Sequence, residues 1–167
     1  LQERWAALEE DEVFTICELG FGTGLNFLTT VDAWLETKSK GRLVYLSYEL
    51  HPLELFDVRK HLEKHDSLSP YILEFSKTYR TLYNEAFIAP DTFMGVQLQV
   101  LHHNALDHLP KADFMADAWY LDGFAPTKNP ELWDEKLMQA IGAHTNPKGT
   151  VATVSYTHLT LPTNIGV

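Results

Sequence analysis

The chain has 167 residues, enough for one domain with a real hydrophobic core, and its 45% hydrophobic and 12% aromatic content excludes a disordered polymer. A formal net charge of −10 argues against a broad nucleic-acid footprint on this stretch, because neutralising phosphates takes clustered Lys and Arg. The single cysteine, Cys17, can form no internal disulfide and reads as a small core residue suited to a reducing compartment.

Taken in chain order, the N-terminal "LQERWAALEEDE" carries no signal-peptide pattern, and no apolar run approaches spanning length. A cytoplasmic protein that does not enter membranes is expected. "VFTICEL" (Val13–Leu19) is a β-branched, apolar run ended by glycine and reads as a buried strand. Leu25, Leu28, Val31 and Leu35 then repeat at helical spacing, with Phe27 and Trp34 widening the stripe, which predicts a helix over Leu25–Thr37. "RLVYLSYEL" (Arg42–Leu50) predicts a second strand and Leu53–His65 a second helix. A third helix follows Pro70 through "YILEFSKTYRTLYNEAF". "VQLQVLH" (Val96–His102) and "FMADAWYLD" (Phe114–Asp122) predict two more strands, Leu132–Ile141 a helix, and "GTVATVS" a fifth strand. Strands alternating with helices imply an α/β domain whose parallel sheet is covered on both faces. Ligands of such sheets bind beyond the carboxyl ends of the strands, where the strand order reverses.

The stretch "ELGFGTGLNFL" (Glu18–Leu28) stands between the first strand and the first helix. Glycine belongs where φ is positive or where a ligand approaches the backbone, and three at alternate positions favour a nucleotide-like ligand over a mere turn. The dinucleotide fingerprint G-x-G-x-x-G is not met, because Gly20 and Gly22 are followed by Leu25 at the third position. Glu18 beside the loop would repel a pyrophosphate and welcome a cation. S-adenosylmethionine carries a sulfonium and an ammonium and no phosphate, so it fits better than a nicotinamide dinucleotide. Glu49, ending the second strand, is placed to accept hydrogen bonds from both ribose hydroxyls.

A second constellation is "DAWYLDGFAPTKNPELW" (Asp117–Trp133). Asp122 falls at the carboxyl end of a strand, either as a catalytic acid facing the crevice or as a strand-end cap. With the carbonyls and aromatic face of the Gly-Phe-Ala-Pro that follows, it can hold an amine while its base stacks. Lys128 is read as a phosphate contact, while Trp119 and Trp133 read as core.

Together, "ELGFGTGLNFL", "YLSYELHPL" and "DAWYLDGFAPTKNPELW" resemble the methyltransferase domain of the bacterial tRNA 5-methylaminomethyl-2-thiouridine biosynthesis enzymes, the MnmC family. The similarity runs in register from about Glu3 to Ser155. It implies a class I, Rossmann-like S-adenosylmethionine-dependent methyltransferase with a mainly parallel sheet that stops after the fifth strand. The domain would span residues 1–155, incomplete at both ends. The resemblance further implies methyl transfer to the primary amine of 5-aminomethyl-2-thiouridine at the tRNA wobble position. It also implies a fused or separate FAD-dependent oxidoreductase as partner. Carried over, Glu18, Gly20, Phe21, Gly22, Thr23, Gly24 and Asn26 would line the methionine end of the cofactor and Glu49 would take the ribose. Asn104 would stand near adenine, Asp122 would face the substrate amine, and Phe124, Pro126 and Lys128 would contact the substrate. One departure is that the family usually shows Gly-Asp where this chain has His103-Asn104.

Alternative readings are a methyltransferase of a small-molecule amine, which the acidic charge favours, a nicotinamide-dependent oxidoreductase, and a fragment that binds cofactor without turnover. The eight histidines suggest no metal site: "HLEKH" lacks the HExxH order, and His102, His103 and His108 have no Cys or Glu at zinc spacing, so solvated surface residues are expected. The final "SYTHLTLPTNIGV" breaks the pattern, and residues 156–167 read as a non-native or disordered tail.

Overall fold

Two strands in the middle of the sheet share one burial pattern. β1 (Val13–Leu19) and β2 (Arg42–Tyr48) each begin with an exposed residue, after which the side chains are largely buried on both faces. Near-continuous apolar runs behave this way only in a parallel sheet that is covered above and below. The two strands pair in parallel, from Val13 opposite Arg42 to Leu19 opposite Tyr48. The computed structural model describes residues 1–82, 91–121 and 134–153.

Around this pair, β4 (Val96–Leu101) adds beside β2, β5 (Ala116–Leu121) beside β1, and β6 (Thr145–Thr153) beside β5, all in parallel. A short β3 (Asp91–Phe93) lies antiparallel outside β4, which gives six strands in the order β3-β4-β2-β1-β5-β6. The sequence pattern predicted five. The additional strand is the first arm of a hairpin whose turn, Met94-Gly95, has φ of 51° and 81°. Positive φ at both central residues suits the right-handed twist of the arms, but Met-Gly is not the Asn-Gly pair that advertises such a turn.

The period of two along each strand sorts the side chains into two cores. Phe14, Ile16, Leu43, Tyr45, Leu98 and Ala118 face one layer of helices. That layer holds α1 (Gln2–Ala6), α2 (Leu25–Thr37), α3 (Leu55–Leu62) and α4 (Ser69–Leu82). Cys17, Leu19, Leu46, Tyr48, Trp119 and Leu121 face the other layer, α5 (Ala105–His108) and α6 (Glu135–Ala143). Cys17 and Trp119 are fully buried, as their apolar settings suggest.

Helix α2 has the bounds its periodicity predicts, although Leu35 is exposed and the buried stripe is Phe27, Leu28, Val31 and Trp34. The Leu53–His65 prediction shortens to α3 plus a 3-10 turn at Asp66–Leu68. α1 was not anticipated; its Trp5 is 2% exposed and stacks edge-on against Phe14 and Trp34. No helix among the described residues is long and apolar enough to cross a membrane. The tail from 156 to 167 lies outside the described residues.

Phe75 of α4 is the junction of the larger core, with ring contacts to Phe21, Phe27, Tyr79 and Phe93 at 5.9–6.2 Å. Phe75→Ala should therefore cost about 3–5 kcal/mol in urea denaturation. Leu73→Ala, on the same helix but 70% exposed, should change stability by less than about 0.5 kcal/mol. Similar losses for the two would contradict this packing.

Candidate functional site

β1 lies at the point where the strand order reverses: the chain leaves it toward β2 and β4, then returns to place β5 on its other side. A crevice is expected at the carboxyl ends of these strands. The loop that crosses it, residues 20–24, is tied down at three backbone amides. Gly20 N donates to the Tyr48 carbonyl (2.8 Å), Gly22 N to Glu49 Oε2 (2.9 Å) and Gly24 N to the Phe21 carbonyl (2.9 Å). Phe21 turns its ring into the core at 3% exposure, so any role it has toward a ligand runs through its backbone. Thr23 is half-buried between the last two glycines.

The three glycines do not share one reason. Gly20, Gly22 and Gly24 all have positive φ, at 90°, 53° and 74°, so loop conformation alone already favours each of them. Gly24 is also needed for packing, because a Cβ there would lie 2.4 Å from Phe75 Cζ. At Gly22 a Cβ would meet nothing within 4 Å, and this stretch of backbone faces open space. Gly22, unlike Gly24, thus leaves its surroundings free for a bound molecule. α2 starts at Gly24 with no side-chain cap and no acidic residue in its first turn.

Beneath the loop sits Glu18, with 1% of its surface exposed. Its Oε1 accepts from Asn26 Nδ2 and its Oε2 from Ser47 Oγ, both at 2.9 Å. Neighbouring acids respond. Burial first, and the Glu18 charge second, push the Cys17 thiol and the Tyr45 hydroxyl well above their usual ranges. Tyr120 of β5 is raised mainly by burial, with Glu18 adding to it. The carboxylate therefore stands among protonated neighbours. Beside it, on the same face of the sheet, a groove of about 450 Å³ is lined by Trp5, Asn26, Thr29, Thr30, Tyr120 and Thr153 among others.

At the end of β2, both oxygens of the half-buried Glu49 carboxylate accept backbone hydrogen bonds, Oε2 from Gly22 and Oε1 from His51 N (2.8 Å). Each oxygen keeps a second lone pair. Asn104 caps α5, its Oδ1 accepting from Leu106 N at 2.9 Å, and the rest of its amide is exposed. The structure thus gathers Glu18, the glycine loop, Asn26, Glu49 and Asn104 along one edge of the sheet. Asp122, Phe124, Pro126 and Lys128 lie outside the described residues; Leu121, which precedes them, ends β5 next to β1.

Two features were not read from the sequence. Ser47, a lone hydroxyl in an apolar strand, directs its proton to the buried acid; its one signal was its place opposite Glu18 once the strands are paired. His108 is not a solvated surface histidine but is half-buried, its Nδ1 2.9 Å from the Tyr48 hydroxyl. Among the described residues no group of three or more His, Cys, Asp or Glu side chains is arranged to hold a metal ion.

Residues 72–159 match a family model described as S-adenosyl-L-methionine-dependent methyltransferase. The chain belongs to this family. The methyltransferase is 38% identical over 157 residues to the tRNA 5-methylaminomethyl-2-thiouridine biosynthesis bifunctional protein MnmC of Marinobacter nauticus, covering 92% of this chain and 25% of that protein. Its identity to the protein of the same name from Methylobacillus flagellatus is also 38%, over 158 residues, covering 92% of this chain and 24% of the relative. The chain therefore spans about a quarter of the length of these relatives. Its fold matches the crystal structure of MNMC2 from Aquifex aeolicus with a TM-score of 0.65 at 24% identity, over 90% of this chain and 45% of that one.

The unequal glycines of this methyltransferase can be told apart by stability. Gly24→Ala adds a clash with Phe75 to the backbone strain, so it should cost about 2–4 kcal/mol. Gly22→Ala adds strain alone, about 1–2 kcal/mol. Equal urea midpoints for the two variants would contradict the packing role given to Gly24.

Proposed function

We propose that this methyltransferase binds S-adenosylmethionine across the glycine loop and methylates the primary amine of 5-aminomethyl-2-thiouridine at the wobble position of tRNA. The observation that carries the cofactor placement is the buried Glu18 carboxylate beside the bare backbone of Gly22. A carboxylate in that position fits a ligand with a sulfonium and an ammonium, and it opposes a pyrophosphate. Asn26, which holds Glu18, and the uncapped first turn of α2 complete the methionine end. The free lone pairs of Glu49 suit the two ribose hydroxyls, and the exposed amide of Asn104 suits an adenine edge. The donor set therefore fits the cofactor.

The substrate reading is supported by the name that the MnmC relatives carry and by "DAWYLDGFAPTKNPELW". Their description as bifunctional supports a second activity in the parent protein or a partner, which the family resemblance makes an FAD-dependent oxidoreductase. A tRNA substrate places the protein in the cytoplasm.

When bound, the cofactor supplies an electrophilic methyl group. An alkyl amine has a pKa of roughly 10, so most of the substrate is protonated and non-nucleophilic at neutral pH. Closing a dry pocket lowers that value and a nearby carboxylate raises it. Asp122 therefore serves best as an orienting acceptor that aims the lone pair and passes the proton to water, not as a strong base. Phe124 and Pro126 would pack on the base and Lys128 would contact phosphate. Since the charge of −10 also suits a small cationic amine, the test must separate the two acceptors.

The experiment is to offer methyl-labelled S-adenosylmethionine with bulk tRNA lacking the final methyl group. Label should enter tRNA, with turnover rising as pH increases. Asp122→Ala should cut turnover about a hundredfold or more while leaving cofactor affinity nearly unchanged. Label entering small amines but not tRNA would overturn the substrate reading. Wild-type turnover in Asp122→Ala would reduce that residue to a strand-end cap.

A further inference from the structure

The last residue of β2 and the two that follow it hold both rims of the proposed cofactor site. Toward β1, the Tyr48 carbonyl and the Glu49 carboxylate secure Gly20 and Gly22. Toward β4, Glu49 N donates to the Leu101 carbonyl (3.0 Å), and His102 Nε2 lies 3.0 Å from the Leu50 carbonyl. The side chain of Tyr48, 2% exposed, passes beneath this rim to meet His108 of α5. The imidazole of His103 lies flat on that of His108, with centroids 4.6 Å apart and planes at 5°. Asn104, the cap of α5, stands between the two stacked residues in the chain.

We infer that Tyr48 and His108 are positioning residues for the cofactor: their hydrogen bond holds the β4–α5 turn against the end of β2, and so keeps Asn104 in register with Glu49 and the glycine loop. This rests on the placement of the adenosine end at Glu49 and Asn104 proposed above. His103, in place of the glycine usual in the resembling family, buttresses the latch by stacking on His108.

The chemistry of the latch sets its direction. Burial, then the neighbouring Cys17, raise the Tyr48 hydroxyl far above its usual range, so it remains a donor. His108 Nδ1 must then be the acceptor, which requires a neutral ring with its proton on Nε2. Burial holds His108 below its ordinary 6.5, and the charges of His103 and Lys111 lower it further. The groups around it are Tyr48 from β2 with Cys17 of β1 beyond, His103 from the turn, Lys111 from the 3-10 turn Leu109–Lys111, and Asp107 on its own helix. α6 packs on this helix through the apolar Leu137, Ala140 and Ile141. A depressed folded value means that the contribution is complete above 6.5 and is lost as pH falls through the lowered value.

The test is calorimetric affinity for S-adenosylhomocysteine at about pH 7.5 and at a lower pH set, by NMR titration of the His108 ring, below its depressed value. The wild-type protein should bind at the higher pH and weaken at the lower one. Tyr48→Phe, which removes one hydroxyl from a buried ring, should weaken binding about threefold to tenfold at the higher pH. His108→Leu should do the same. His108→Gln, whose carbonyl can accept from Tyr48, should restore most of the affinity and flatten the pH dependence. Wild-type affinity in both Tyr48→Phe and His108→Leu, whatever their melting temperatures, would overturn the inference. No binding by the wild-type protein at either pH would overturn the cofactor placement on which it rests.

Discussion

A carboxylate buried at the turning point of a parallel sheet is the constraint on which the rest of this structure depends. Taking Glu18 out of water costs several kcal/mol unless its oxygens are hydrogen-bonded. Asn26 and Ser47 supply those bonds from different elements, one from the first turn of α2 and one from β2. Satisfying the acid therefore fixes where α2 begins relative to the two central strands, and with it the path of the loop between them. Glu49 then closes the loop from outside by accepting from Gly22. The two acids act in sequence, one anchoring the helix and the other the backbone that precedes it.

The same placement gives the site its electrostatic character. Tyr45, Cys17 and Tyr120 are held in their neutral forms around Glu18, so none of these three described neighbours opposes its charge. Aromatic packing makes the arrangement rigid. Phe21 inserts between α2 and α4, and Phe75 presses on Gly24, so the loop is secured from the core side while Gly22 stays open on the other. A loop held by its buried face can present bare backbone without collapsing.

The elements that build this edge were legible because their patterns are strong. β1 and α2 have the predicted bounds: one is a continuous apolar run stopped by glycine, the other a 3.6-residue stripe that begins at the same glycines. β3 was missed because three residues are too few to show alternation and its turn is Met94-Gly95. Glu18 and Glu49 are legible as strand-end residues and Asn104 through the family resemblance, but their partners are not. Strand pairing sets Ser47 against Glu18, and only the three-dimensional fold brings His108 to Tyr48 across 60 positions. In the sequence the glycine motif stands out as a ligand signature, whereas its positive φ values and the Phe75 contact show that loop geometry accounts for much of it.

The central claim is that the cofactor lies across this loop, against Glu49 and Asn104. The most direct measurement is a backbone amide NMR titration of the ¹⁵N-labelled protein with S-adenosylhomocysteine. The account predicts saturable shifts centred on Gly20, Gly22, Gly24, Glu49 and Asn104, with small shifts at Ala33 and Ala152, which also line the groove. Shifts concentrated in that groove, with the glycine amides unmoved at saturation, would contradict it.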